Sequence, residues 1–181
     1  MNDLVLGIMS DTHGNGKLAY AMAERMRDEF GVGEILHLGD NYTDGEMLLF
    51  AGFPVRTVPG LQCHAFWERD KPNVIVDDFN GVCMALAHAS HLLGGEELKA
   101  QVQLSGHTHV AQVKGVDGVV HHNPGHLKAA RDRGQDASFS ILRIGTDTIH
   151  FAIIEAAGGV RIESAFHIRE DGTLRAFTPD K

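Results

Sequence analysis

Apolar positions in the first third of the chain predict alternating strands and helices. The run LVLGIM (4–9) has the length of a buried strand, and apolar residues then recur at every fourth position, as on an amphipathic helix. Those positions are Leu18, Met22, Met26 and Phe30, and Gly31 is expected to end the helix. The segments that follow are EILHLGD (34–40), a predicted strand, DGEMLLFAG (44–52), a predicted helix, and PVRTVPG (54–60), a predicted strand. This alternation favours βαβ units in a parallel sheet, with functional residues at the carboxyl ends of the strands.

The second half of the chain is dominated by short β-prone runs between glycine or asparagine turns. Only GGEELKAQ (94–101) has a helical pattern, and the last runs have the spacing of an antiparallel meander. We therefore expect one α/β domain over residues 1–181, in which the second half supplies a mostly antiparallel sheet packed on the first. The predicted strands of this half are NVIVDDFN (73–80), GVCMALAHAS (81–90), VQLSG (102–106), VAQVKG (110–115), GVVHHN (118–123), SFSILRIG (138–145), DTIHFAIIEA (147–156) and VRIESAFHI (160–168).

Charge and composition narrow the classes of function. With 24 acidic against 16 basic residues the formal net charge is −8, which opposes a general polyanion-binding surface, so stable nucleic-acid binding is not expected. No segment approaches the roughly 20 apolar residues of a membrane span, and the first apolar run does not resemble a secretory signal. Cys63 and Cys83 are too few for a disulfide framework. These features together predict a cytoplasmic protein without a membrane segment.

Metal-ligand residue types follow several of the apolar runs. Asp11 and His13 share a side if the chain stays extended, because side chains at i and i+2 do, and His107 and His109 repeat that spacing after the small Gly106. A lone histidine is more often structural, but here the ends of neighbouring strands would collect carboxylates and imidazoles at one edge. That donor mixture suits Mn, Fe, Zn, Co or Ni and suits calcium poorly. The residues in question are Asp11, His13, Asp40, His88, His107 and His109.

Five short motifs occur in a fixed order along the chain: SDTHG (10–14), HLGDN (37–41), ALAHASH (85–91), SGHTHV (105–110) and NPG (123–125). In this order they resemble the calcineurin-like metallophosphoesterase superfamily, and specifically its small bacterial and archaeal phosphodiesterase branch. The resemblance runs from Leu4 to Ile144 and implies a four-layer α/β/β/α sandwich of two mixed sheets. It also implies hydrolysis of a small phosphate ester, for which a nucleotide is one candidate, by a water or hydroxide that two divalent metal ions activate. Manganese is the first candidate, with Zn, Fe, Ni or Co as alternatives, and a homo-oligomer is expected by analogy with relatives that are often dimers.

The resemblance also implies a ligand set. One ion would be held by Asp11, His13, Asp40 and His109. The second would share Asp40 and take His88, His107 and the amide oxygen of an asparagine from a GNCD motif. Here the text is VPGLQCHAFW (58–67), which, aligned on its cysteine, places Gln62 where the asparagine is expected and His64 where the aspartate is expected. Gln62 or His64 could be the last ligand of the second metal site, or that coordination position could be open.

The implied catalytic roles fall on Asp40, His64 and His126. Asp40 would bridge the two ions and fix their separation. Larger relatives carry a histidine after the ligand asparagine that is proposed to protonate the leaving group, but this chain has Cys63 there, a poor acid at neutral pH. His64 and His126 are the candidates for that role, and an ordinary structural role is the alternative for both. Without a strong general acid, esters with good leaving groups should react best.

Two other classes of protein are alternatives to this hypothesis. A partner-binding scaffold of the same fold would have lost ligands, and only Gln62 points that way, whereas the four histidines are intact. A β-lactamase-like metallohydrolase needs an H-x-H-x-D-H run, which the sequence does not contain. His37, next to the bridging carboxylate, could bond a ligand carboxylate or pack within a strand.

Overall fold

A computed structural model describes residues 3–95 and 99–177. In these residues the chain forms two α-helices and fourteen strands, with short 3-10 turns at His64–Trp67 and Ser90–Leu92. The helices are α1 (Gly16–Phe30) and α2 (Tyr42–Phe50). The strands are β1 (Leu4–Met9), β2 (Glu34–His37), β3 (Val55–Thr57), β4 (Val74–Phe79), β5 (Val82–Ala87), β6 (Val102–Ser105), β7 (Gln112–Val116), β8 (Val119–Asn123), β9 (Arg131–Asp132), β10 (Gln135–Asp136), β11 (Ser138–Ile144), β12 (Thr148–Glu155), β13 (Val160–Ile168) and β14 (Leu174–Ala176).

The first large sheet has the strand order β14-β13-β12-β11-β1-β2-β3. Its β1, β2 and β3 are parallel, as the alternation of strands and helices predicts, and the meander from β11 onwards joins the free side of β1 in antiparallel pairs. The helix α1 ends at Gly31, which adopts the left-handed conformation with φ 71°. Both helices cover one face of this sheet, where Met26 and Leu48 are buried with Phe139.

The second large sheet has the order β4-β5-β6-β8-β7 and differs from the prediction. The expectation of mostly antiparallel pairing is wrong here, because β5, β6 and β8 pair in parallel and only the two outer pairs are antiparallel. The stretches 88–101 and 106–118 that join the parallel strands are long enough for crossover connections. Short β-prone runs look the same in either pairing, so their pattern did not distinguish the two.

The main core lies between the two large sheets. Leu6 and Ile8 of the first sheet are fully buried there with Met84 and Leu104 of the second. The predicted pair of mixed sheets is confirmed, and two helices cover the outer face of the first sheet as predicted. On the outer face of the second sheet, Leu93 and Ala100 pack against β5. The helix predicted at 94–101 lies partly outside the described residues.

Two further predictions concern membrane-spanning segments and the cysteines. Among the residues placed, no helix is long and apolar enough to cross a bilayer. Cys63 and Cys83 are both free thiols, as expected from their number.

Candidate metal centre

The predicted ligands lie in tight turns directly after their strands. Five of the six have a left-handed backbone, which non-glycine residues adopt only at an energetic cost. The prediction that Asp11 and His13 share a side because the strand stays extended is therefore wrong, and the turns aim the side chains instead. Such strain gathers at functional sites, where the surroundings hold it in place. The φ angles are 52° at Asp11, 48° at His13, 95° at Asp40, 66° at His107 and 65° at His109.

One group of side chains is formed by Asp11, His13, Asp40 and His109. The Nε2 atoms of His13 and His109 are 3.1 Å apart, and His109 Nε2 lies 3.3 Å from Asp11 Oδ1. On its other side His13 Nδ1 is 2.8 Å from Asp40 Oδ2. Asp11 and His109 are 1% exposed, whereas His13 and Asp40 reach solvent, so the group is buried on one side and open on the other. Ligand atoms of Asp11, His13 and His109 lie within 4.8 Å of one another, close enough to hold one ion.

A second group is formed by His88 and His107. His107 Nδ1 is 3.3 Å from His88 Nε2, and the His107 backbone N–H donates to Asp11 Oδ2 at 2.9 Å. His88 Nδ1 donates to the carbonyl oxygen of Leu38 at 2.9 Å, which leaves its Nε2 facing His107. The structure therefore brings all six predicted residues into two adjoining groups that share the loop of Asp11.

Close backbone packing fixes the spacing of these loops. A Cβ at Gly106 would lie 1.9 Å from Ser10 Oγ and 2.6 Å from Asp11 Oδ2, so only glycine fits before His107. A Cβ at Gly60 would lie 2.3 Å from the carbonyl oxygen of Asp40. The close approach expected at Gly106 is thus present, and a second one supports Asp40.

The hydrogen bonds leave unprotonated nitrogen atoms facing one another. Asp132 accepts from His109 Nδ1 at 2.5 Å and Asp40 faces His13 Nδ1, so in the neutral rings both Nε2 atoms carry lone pairs. Two lone pairs 3.1 Å apart repel unless a cation lies between or beside them. Asp11 Oδ1 is buried and has no hydrogen-bond partner among the residues placed. These residues therefore fit a divalent ion, and their nitrogen and oxygen donors suit a transition metal.

The ionisation of the group agrees with this reading. Burial acts to raise the pKa of Asp11, but the neighbouring His109, Ser10 and His88 outweigh it, and the pKa lies below its usual value. The Asp11 carboxylate, opposed by burial, raises the pKa of His109. Burial lowers the pKa of His13 and of His107. A metal ion would thus meet an ionised Asp11 and neutral rings at His13 and His107, and would compete with a proton mainly at His109.

A buried hydrogen-bond chain that no sequence motif predicts holds the loop of Asp11 and His13. Thr12 Oγ1 donates to Asp44 Oδ2 at 2.5 Å, and the same oxygen accepts from the Gly14 N–H at 2.9 Å. His37 lies between Thr12 Oγ1 at 3.3 Å and Thr57 Oγ1 at 3.0 Å, so it bonds these hydroxyls rather than a ligand carboxylate. Burial lowers the pKa of His37 to about 4, which keeps the ring neutral.

The hairpin of β9 and β10 also reaches the site. Besides its contact with His109, Asp132 pairs with Lys128 at 3.0 Å. Lys128 and then His109 lower the pKa of Asp132 to about 2. In the sequence Asp132 is a single carboxylate within a basic run, which is typical of a solvated loop and did not mark it as functional.

The remaining candidates lie around the groups described. Gln62 is exposed, in a turn next to Asp40 because the Gly60 N–H donates to the Asp40 carbonyl at 3.1 Å. The side chain of His64 is 93% exposed and lies 2.9 Å from Glu68. His126 is buried, donates from Nε2 to the carbonyl of Gln135 at 3.1 Å and packs against His109 with ring centroids 5.2 Å apart. The roles of Gln62, His64 and His126 stay predictions.

Comparison with known proteins gives the family. The model of the calcineurin-like phosphoesterase superfamily domain matches residues 4–147. No curated protein sequence is significantly similar to the chain.

Solved structures share the fold at low sequence identity. A conserved protein from Streptococcus pneumoniae, described as a predicted phosphoesterase, is 20% identical with a TM-score of 0.70, over 92% of this chain and 99% of that one. YfcE, a phosphoesterase from E. coli, is 22% identical with a TM-score of 0.66, over 88% and 98%. A single-site variant of Vps29 from Entamoeba histolytica is 17% identical with a TM-score of 0.64, over 96% and 97%. With a family model that covers most of its length and a fold shared with these structures, the chain belongs to the calcineurin-like phosphoesterase superfamily.

Proposed function

We propose that this protein is a metal-dependent phosphodiesterase that uses two divalent transition metal ions, with Mn²⁺ as the first candidate. One observation carries the proposal: the Nε2 atoms of His13 and His109 lie 3.1 Å apart beside a buried Asp11 oxygen that has no hydrogen-bond partner among the described residues. Unpaired buried polar atoms destabilise a fold, so the buried oxygen favours a bound ion at this position.

In this proposal the metal-ligating side chains are divided between two ion positions. Asp11, His13 and His109 would hold the first ion together with Asp40, and Asp40 would also contact a second ion beside His88 and His107. Gln62 or His64 would have to supply a further donor from the turn next to Asp40. When bound, such ions supply an activated water and stabilise the charge on the phosphate oxygens.

The surroundings of the site determine which esters react best. His126 is buried with its Nε2 bonded to Gln135, and burial lowers its pKa, so it is poorly suited to donate a proton to a leaving group. His64 is directed to solvent beside Glu68. We therefore expect small phosphodiesters with good leaving groups, such as aryl esters, to be cleaved faster than alkyl esters.

The test is hydrolysis of bis-p-nitrophenyl phosphate and p-nitrophenyl phosphate by protein stripped of metal and reloaded with Mn²⁺. The diester should turn over faster, and His107→Gln should abolish the metal-dependent rate. His121→Gln is the matched control, because this histidine lies on β8 outside both groups and its replacement should leave the rate unchanged. If the protein loaded with Mn²⁺, Zn²⁺, Ni²⁺ or Co²⁺ hydrolyses neither ester, the proposal is refuted.

A partner-binding scaffold is the second candidate, favoured by the fold shared with Vps29, a vacuolar protein sorting protein. Metal content separates the two candidates. A scaffold that has lost its metal site should retain less than one equivalent of Mn²⁺ or Zn²⁺ after loading and dialysis, whereas the proposed enzyme should retain about two equivalents.

A further inference from the structure

The hairpin that carries Asp132 is fixed to the loop of the first predicted ligands. Leu127, which precedes it, donates its N–H to the carbonyl of Ser10 at 3.1 Å, and the Asn15 side chain donates to the carbonyl of Lys128 at 3.0 Å. Asp132 pairs with Gln135 across the two strands. The position of the Asp132 carboxylate is therefore set by the same backbone that carries Asp11 and His13.

Asp132 contacts the ring of His109 on the side opposite His13 and Asp11. Its Oδ2 lies 2.5 Å from His109 Nδ1, while its Oδ1 accepts from Lys128 at 3.0 Å. A carboxylate accepts hydrogen bonds only, so Nδ1 carries a proton, and in the neutral ring the lone pair is then on Nε2. That Nε2 points towards His13 and Asp11, at 3.1 and 3.3 Å.

His88 provides an internal comparison. Its Nδ1 is held by the carbonyl oxygen of Leu38, so its Nε2 is likewise free to face His107. A carboxylate does the same for His109 but adds negative charge next to the imidazole, which increases the basicity of the ligand nitrogen. The two histidines are thus oriented by different acceptors, and only that of His109 comes from the hairpin.

We propose that Asp132 is a positioning residue of the metal centre, which fixes the Nδ1–H tautomer and the ring orientation of His109 so that Nε2 can bind the metal ion. This inference rests on the proposed function, since it assigns a partner to one of the ligands proposed above. It adds to the site a residue from a separate two-stranded hairpin that none of the five sequence motifs contains.

The experiment compares Asp132→Ala and Asp132→Asn with Asp136→Ala as the matched control. Asp136 lies on the other strand of the same hairpin, where its carboxylate is 3.8 Å from Arg131. Titration calorimetry with Mn²⁺ and Zn²⁺ measures the affinity of the stripped proteins, and long-range ¹H–¹⁵N spectra, assigned with a His109→Gln variant, report the His109 tautomer. Thermal unfolding of the metal-free proteins reports any structural effect.

The unaltered chain should show the Nδ1–H tautomer of His109. In Asp132→Ala that tautomer should lose its dominance and the affinity for one ion should fall about 10- to 100-fold, the range for partners of metal-bound histidines. Asp132→Asn, which keeps an acceptor oxygen and the size of the side chain, should lie between, and Asp136→Ala should match the unaltered chain.

The outcomes separate this inference from the proposed function. Metal uptake by the unaltered chain with the same affinity and tautomer in Asp132→Ala overturns the role of Asp132 alone. No uptake by the unaltered chain overturns the proposed function. If Asp132→Ala does not fold, Asp132→Asn decides: an unchanged affinity and tautomer in that variant overturns the inference.

Discussion

Replacing Gly106 by alanine should displace the carboxylate of Asp11 and weaken both the fold and the metal centre. The new Cβ would lie 1.9 Å from Ser10 Oγ and 2.6 Å from Asp11 Oδ2. Ser10 is fully buried beside the Leu38 carbonyl, so it has little room to yield, and a shift of Asp11 breaks the bond from the His107 N–H. Overpacking of this kind costs about 1–3 kcal/mol of unfolding free energy. An equal loss of metal binding energy corresponds to an affinity about 5- to 150-fold lower.

Urea unfolding of the metal-free proteins and calorimetric titration with Mn²⁺ measure the two effects. Gly94→Ala is the matched control, because no atom lies within 4 Å of a Cβ built there and its φ is not positive. Combining Gly106→Ala with Ser10→Ala removes the closest contact, so the double variant should be more stable than the sum of the single effects predicts. If Gly106→Ala behaves like Gly94→Ala in both measurements, the reasoning from close packing is refuted.

Three further predictions concern acid, hydrogen bonding and metal removal. Burial lowers the pKa of His122 to about 4, so this residue binds more protons in the unfolded state below pH 6.5, and its own contribution to stability should fall by about 1.4 kcal/mol for each unit that the pH drops between 6.5 and 4. His122→Leu should reduce that slope in urea unfolding, and an unchanged slope would contradict the assignment. Asp44→Asn should cost about 1–3 kcal/mol of unfolding free energy, because Thr12 and Gly14 both donate to the carboxylate, while Asp28→Asn on the surface should have little effect in the same assay. Metal at one hundred times its dissociation constant should add about 2.7 kcal/mol of stability, and a thermal unfolding midpoint that does not change on chelation would argue against specific binding.

The helices and strands of the first half follow closely from the sequence. The four-residue spacing of Met22 and Met26 and the glycine at position 31 are local signals, and α1 ends at the residue before that glycine. The pairing in the second sheet could not be predicted in this way. Whether β5 and β6 run parallel depends on the path of the connection between them, and the burial pattern of short strands is similar in both directions.

The candidate site, too, was predictable from the sequence only in part. The residue types after each apolar run identified the six clustered candidate ligands, because a buried strand that ends in a carboxylate or imidazole is uncommon without a purpose. These side chains come together because of left-handed turns at positions such as Asp11 and His107. No residue pattern predicts such a turn at a non-glycine residue. The argument from an extended chain therefore named residues that do lie close together, but the backbone turns and not an extended strand bring them there.

The sequence by itself determined which side chains can bind a metal ion and roughly where each strand ends, since both depend on residues close together in the chain. Only the tertiary structure decided which groups support those ligands. Asp132 meets His109, and Asp44 meets Thr12, across 23 and 32 positions of sequence. Hydrogen bonds of that kind depend on how separate segments pack, because a distance of 2.5 Å between two side chains is set by the whole fold and not by the residues that flank either one.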